Sequence, residues 1–342
     1  MLTFVKDASA TQIVGIYKKS NRSVRPESTV YYTHKSGEDN SNVASAAGVL
    51  ALHKDSIKKL HKLSNNSFAT VAVMLDTDQE PDIGDPLRQA YWEIKKVFER
   101  ALRNEIFLGD QKDLYMEHNL PRDRSEWGGS FTCIGNSGAG KTYWVVQMLV
   151  RYLKATKPHA RKTVIWASPE WDIDKTLKPL KDKRFSFSVL GIDVSETALR
   201  KSGLDAASYY QTKVNEVLEH GENAIVVLDD FMDAASNLTN LLRKAYNTML
   251  RTARHRNTTV ISLVHSYASG KNTSQALQSN KFTVWFPRSQ QSRMIMFMRD
   301  HLMMNANEAK ELVQRFAKLD RWCVIRMHSP VAMYNSKYLL LL

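Results

Sequence analysis

The sequence predicts an α/β protein: a mostly parallel sheet flanked by helices, preceded by a smaller α+β N-terminal region. Three observations predict it. A glycine-rich turn at 135–140 sits between an apolar run and a helical stretch. After it, short apolar runs alternate with helical periodicity, the pattern of strands and crossover helices. One of those runs, 223–228, ends in two acids, Asp229 and Asp230. On this reading residues 1–125 form the N-terminal region and residues 126–342 the larger α/β domain.

The N-terminal region begins β-rich and turn-rich. Residues 11–17 and 28–33 are strand candidates, and 37–42 are a loop by composition. Helical periodicity takes over at 43–63, where Lys54, Lys58, Lys59 and Lys62 make one side basic. A basic helix face is usually just solvated. Residues 68–75 read as a strand. Residues 76–85 read as an acidic surface turn whose spacing is not that of a calcium loop. Residues 86–107 carry a helical stripe through Leu87, Ala90, Tyr91, Ile94, Val97, Phe98 and Leu102. Residues 108–129 read as a linker. No chemical motif and no repeat precedes residue 130.

Gly135-Asn136-Ser137-Gly138-Ala139-Gly140-Lys141-Thr142 fits G-x-x-x-x-G-K-[ST] between a strand and a helix. That is the context a phosphate-binding loop (P-loop, Walker A) requires, so the predicted fold is a P-loop NTPase. The glycines let backbone N–H groups turn inward around a phosphate, and the helix adds its positive dipole end. Lys141 is expected to reach the β- and γ-phosphates of ATP, and the Thr142 hydroxyl to hold Mg²⁺. The plain alternative is a glycine-rich turn that binds nothing. The filled positions and the flanks argue against it.

Downstream, 142–155 is a helix, 163–168 a buried strand, 185–190 a weaker strand and 206–219 an amphipathic helix. Asp229, at the end of the next strand, is expected to bind Mg²⁺ in the Walker B role. Asp230 is placed to polarise the attacking water, although motors often use the longer Glu there. Residues 238–256 read as a helix ending in Arg251, Arg254, His255 and Arg256, cations that suit a helix C-terminus. The strand 258–265 carries His265 at its tip, either a γ-phosphate sensor or a simple strand cap. Past the strand 281–286, Arg288 and Arg293 are candidates for an arginine acting in trans on a neighbour's nucleotide. Either is equally read as a surface or DNA contact. Asn305 with Glu308 forms a capping box for a helix running to Leu319, and 322–327 is the last predicted strand.

The bulk properties bound the function. A hydrophobic content of 43% and a charged content of 24% suit an ordinary soluble globular protein. No apolar run approaches the ~18 residues of a membrane span. The N-terminus lacks the apolar segment of a secretory signal. Cys133 and Cys323 have no metal spacing and sit in apolar runs, so reduced core thiols are expected. Of the +13 net charge, residues 1–125 hold 18 basic and 17 acidic side chains, and residues 126–342 hold 30 and 18. The excess belongs to the nucleotide-binding part, where a nucleic-acid partner would explain it, the alternative being a merely solvated basic surface.

The ordered set of the phosphate loop, then Val226-Val227-Leu228-Asp229-Asp230, then Arg254-His255-Arg256-Asn257 leading through Thr258–Val264 to His265, resembles the viral DNA-packaging ATPases of the FtsK–HerA superfamily. The segment 277–286 is similar to their post-sensor region. The resemblance covers about residues 128–300. It implies a homo-oligomeric ring that hydrolyses ATP with Mg²⁺ and pushes double-stranded DNA into a capsid. Capsid or portal-vertex proteins would be partners, and sites of virion assembly in the host cytoplasm or nucleus, or the virion itself, the location. One departure is that the sensor, usually Gln in that family, is His265 here. A helicase or conjugation-type DNA pump on the same fold is the alternative, and a nucleotide-dependent switch or scaffold with little turnover is a third. No Asn-Lys-x-Asp motif points to guanine, and no Leu-Ser-Gly-Gly signature points to a transporter.

Overall fold

The computed structural model describes residues 2–3, 12–18, 28–32, 92, 95, 105–107, 115–117, 120, 128–155, 163–182, 188–230, 239–265, 280–328 and 331–342. The predicted helix 43–63, strand 68–75 and acidic turn 76–85 lie outside these residues. The chain divides into two units, Met1–His118 with Pro330–Leu342, and Asn119–Ser329.

In the first unit, β1 (Leu2–Thr3), β2 (Gln12–Lys18), β3 (Ser28–Tyr32) and β5 (Tyr115–Glu117) form an antiparallel sheet in the order β1-β3-β2-β5. β2 and β3 fall where the sequence places strands. β5 falls inside the predicted linker: its Met116 pairs with Tyr17, a partner about a hundred residues away that no local pattern reveals. β4 (Glu105–Phe107) corrects the end of the predicted helix 86–107. Trp92 and Lys95 are helical, but Ile106 pairs with Leu339 at the far end of the chain.

The second unit is built on strands that read as continuous apolar runs, because a parallel sheet covered by helices buries both faces of each strand. β6 (Gly129–Ile134), β7 (Thr163–Ser168), β9 (Ile225–Asp229) and β10 (Thr259–Val264) are buried over nearly their whole length. β8 (Ser188–Asp193), β11 (Asn280–Trp285) and β12 (Cys323–Arg326) complete the order β12-β11-β6-β10-β9-β7-β8. All pairings are parallel except β11 with β12. The helices are α1 (Lys141–Ala155), α2 (Glu196–Ser202), α3 (Ala206–His220), α4 (Thr239–Thr252), α5 (Gln291–Leu302) and α6 (Ala306–Leu319). This mostly parallel sheet flanked by helices is the P-loop fold that the sequence predicts.

α3 and α4 pack on one hydrophobic cluster with β7 and β9, through Tyr210, Val214, Val217, Met249, Ile165, Val226 and Leu228. Each such side chain contributes roughly 1.5–3 kcal/mol when fully buried. α1 buries Val145, Val146, Met148 and Leu149, and its Trp144 ring lies 5.6 Å from Trp322. β6 is also fixed laterally by polar side chains. Ser130 Oγ donates to Asn280 Oδ1 at 2.9 Å, and Asn280 Nδ2 donates to Thr132 Oγ1 at 2.7 Å, all buried.

Several local readings shift. α4 stops at Thr252, so Arg254, His255 and Arg256 lie in the turn beyond the helix. α2 was missed; Ser195 caps it and Gly203, in the left-handed region at φ 70°, ends it. α5 was missed too, since its Met- and Phe-rich stretch follows a polar run without periodicity. The capping box of α6 is present, with Asn305 accepting from the Glu308 N–H at 2.9 Å. The predicted last strand is followed by a hairpin, β13 (Ala332–Tyr334) and β14 (Tyr338–Leu341), in the first unit. Asn335 makes its turn, accepting from the Lys337 and Tyr338 N–H groups at 2.9 Å each.

Candidate active site

Three adjacent parallel strands end flush. Val264 of β10 pairs with Ile134 of β6, and Leu263 pairs with Asp229 of β9. The residues that follow, Gly135, His265 and Asp230, therefore leave the sheet within one residue of the same level. Crevices at the carboxyl ends of parallel strands are where α/β folds place their ligands.

The loop Gly135–Gly140 turns tightly, with the Ala139 N–H donating to Asn136 O at 3.1 Å. Gly138 and Gly140 have φ of 73° and 104°, a region open to glycine at little cost. Asn136, Ser137 and Gly138 are exposed. Lys141, at the start of α1, is buried. Its ammonium donates to Gly135 O at 2.8 Å and Asn136 O at 3.3 Å, and lies 3.3 Å from His265 Nδ1.

An ammonium has no acceptor, so Nδ1 of His265 must accept from it. The ring proton then sits on Nε2, which faces Asp230 Oδ2 at 2.9 Å. Lys141, His265 and Asp230 thus form one relay with a fixed histidine tautomer. Asp230 has φ of 49°, a strained setting for a residue with a Cβ. Its Oδ1 is buried, with no hydrogen-bond partner among the described residues.

The Thr142 hydroxyl donates to Asp229 Oδ2 at 3.4 Å. Burial pushes the Asp229 carboxyl up to about 7, and the charge of Asp230 adds to this; Lys141 and the Thr142 bond act against it. Asp174, in the turn after β7, also raises it. Two hard oxygens at this spacing suit Mg²⁺. Among the described residues no cluster of three His, Cys, Asp or Glu could hold a metal by itself. A divalent ion here would lean on phosphate oxygens, as Mg²⁺ commonly does. Cys133, just ahead of the loop, is buried and its thiol is pushed far up by desolvation, so it stays protonated and inert.

The two arginines are placed differently. Arg288 Nε donates to Ala317 O at 2.9 Å, tying the corner after β11 to the last turn of α6. Arg293 is exposed in the first turn of α5. The sequence reading missed Gln290, which is buried and donates through Nε2 to Asn136 Oδ1 at 2.7 Å and to His265 O. A glutamine in the polar run Ser289-Gln290-Gln291-Ser292 gave no signal.

No protein-family model matches the chain, and no curated protein matches it. Among solved structures it is similar to the genome packaging NTPase B204 of Sulfolobus turreted icosahedral virus 2 in complex with ATP-gammaS. That likeness has 13% identity over 61% of this chain and 97% of B204, with a TM-score of 0.38. It is also similar to the cytoplasmic domain of the type VII secretion ATPase EccC of Thermomonospora curvata, at 14% identity. Here 69% of this chain and 29% of EccC are covered, with a TM-score of 0.42. The ATPase DotB of Legionella pneumophila matches at 12% identity over 57% of this chain and 54% of DotB, with a TM-score of 0.31.

Proposed function

We propose that the chain hydrolyses ATP and uses it to translocate double-stranded DNA into a viral capsid. The observation that carries the hydrolytic part is the convergence of Lys141, Thr142, Asp229, Asp230 and His265 at three flush strand ends. Inward N–H groups of Gly135–Thr142 take the phosphates, and Lys141 exchanges the loop carbonyls for β- and γ-phosphate oxygens. Thr142 and Asp229 are the residues that would hold Mg²⁺. Held there, Mg²⁺ would supply charge neutralisation for the bound phosphates. Asp230 orients and polarises the attacking water, and the Nε2–H of His265 turns from Asp230 to donate toward the γ-phosphate.

The DNA part rests on the basic excess of residues 126–342 and on the resemblance of the motif set to packaging motors. A ring of identical chains would bring Arg288 or Arg293, both exposed, to a neighbour's nucleotide. Capsid or portal-vertex proteins, and virion assembly sites, belong to the same proposal.

The test is the steady-state ATPase rate of the full chain with and without linear double-stranded DNA, with particle size measured alongside. DNA stimulation by a multi-subunit particle is expected. Slow turnover indifferent to DNA would replace the motor with the switch. DNA movement independent of capsids would favour the helicase or pump.

A further inference from the structure

The corner after β11 makes an unusual connection to the phosphate loop. Gln290 precedes α5 and occupies its N-cap position, where side chains normally accept from the first helical N–H groups. It makes no such bond, with φ −145° and ψ 43°. Its side chain turns inward and is 7% exposed. Nε2 donates to Asn136 Oδ1 at 2.7 Å and to the main-chain oxygen of His265. Asn136 answers, its Nδ2 donating to Ser289 O at 3.1 Å. Below them, a Cβ on Gly135 would stand 3.0 Å from the Phe286 ring, so the same corner packs under the loop.

The amide orientations follow from these partners. His265 O and Ser289 O can only accept, so each faces an NH₂ group. That leaves Gln290 Oε1 as a buried acceptor with no donor among the described residues. Among the described residues, the other buried atom that can only accept and has no donor is Asp230 Oδ1. Both belong to groups hydrogen-bonded to His265, one at its main chain and one at its ring. A buried amide that gives up a helix cap and leaves its own oxygen unmatched is costly for folding alone.

We propose that Gln290 is a positioning residue for hydrolysis, holding the phosphate loop and the His265 strand end in one register and offering its amide oxygen to a bound water. The proposal rests on the reading of this site as an ATPase. Removing the clamp lets the loop and the relay drift apart, which harms the reacting geometry more than nucleotide binding.

The experiment compares full-length Gln290→Met, Gln290→Glu, Asn136→Ala and the Asn136→Ala/Gln290→Met double variant with wild type. It measures kcat and KM for ATP, fluorescent-ATP affinity and melting temperature. Gln290→Met should lower kcat on the order of 10- to 100-fold while KM and affinity change less than about threefold. Gln290→Glu keeps an acceptor but cannot donate to Asn136 Oδ1 or His265 O, so it should do no better. The double variant should be no worse than the poorer single one, because both break one clamp. If Gln290→Met does not fold, Asn136→Ala, altered at an exposed residue, must show the same split. Normal kcat, equal losses in kcat and affinity, or additive losses would overturn the proposal. A wild-type rate in Lys141→Ala would instead remove the ATPase reading beneath it.

Discussion

The two ends of the central strands use the same backbone device and finish it differently. Where the strands begin, Asn223 and Asn257 hold φ of 52° and 51°. Polar groups at this end bond to one another. Asn257 Nδ2 donates to Asn223 Oδ1 at 3.3 Å, the Asn223 N–H donates to Arg256 O at 2.9 Å, and buried Thr258 Oγ1 donates to Gly221 O at 2.6 Å. Where the strands end, Asp230 holds a matching φ of 49° but leaves one carboxylate oxygen buried and unmatched. Asn and Asp bear left-handed backbone at lower cost than other residues with a Cβ, at either end. What separates them is closure: one end satisfies itself, and the other is left open to a donor from outside the chain. Strain by itself marks a turn; strain beside an unmatched polar atom marks chemistry.

This contrast is broken most directly at Lys141. Lys141→Ala should abolish ATP binding and reduce hydrolysis by roughly 100-fold or more, read by equilibrium nucleotide binding and steady-state rate. Hydrolysis near the wild-type level would mean that the open end is not the site. Asp230→Asn should bind ATP with little change yet lose on the order of 10²–10⁴ in kcat, because an amide cannot take the water's proton. Equal losses in affinity and kcat would place Asp230 in binding instead.

A trans contribution gives an intermediate effect. Mixing Arg293→Ala subunits with wild type should depress ATPase activity faster than their fraction rises. A strictly linear decline would leave Arg293 a surface residue.

At the closed end the expectation reverses. Thr258→Val should cost about 1–3 kcal/mol of stability in denaturant titration, by stranding a buried carbonyl, and leave kcat for ATP unchanged. A kcat effect as large as that of Asp230→Asn would erase the distinction between the ends.

The smallest effect concerns His328, whose ring stacks edge-on to Phe282 and accepts from Arg326. Burial, with the Arg326 charge adding, lowers its pKa to about 4. The unfolded chain therefore binds the extra proton first. Stability is complete above about pH 6.5 and declines as pH falls toward 4. His328→Gln should flatten that decline in melting temperature slightly, since the ring is only partly buried and solvent screens the rest. An unchanged profile would assign the acid sensitivity elsewhere.

Much of the open end was legible in the sequence because its signals are local. A glycine spacing, two acids after an apolar run and a polar strand tip each lie within eight residues. The structure brings Lys141, Thr142, Asp229, Asp230 and His265 together as those signals imply. The lateral parts were not legible. Gln290 reaches Asn136 across a separation of 154 residues, and β4 finds β14 from opposite ends of the chain. Such pairings leave no periodicity for a reader of one segment to detect. The helix α5 was hidden for a related reason: its first turn, Gln291-Ser292-Arg293, is polar and exposed and carries no apolar period.

The polar staples on β6 have a mechanical consequence. The hydrogen bonds from Ser130 to Asn280 and from Asn280 to Thr132 are directional and rupture over a fraction of the travel that greasy contacts tolerate. β6 and β11 must therefore slide as a single plank. A pull on the Arg293 helix would arrive at the phosphate cradle as shear along that plank, without first bending α1.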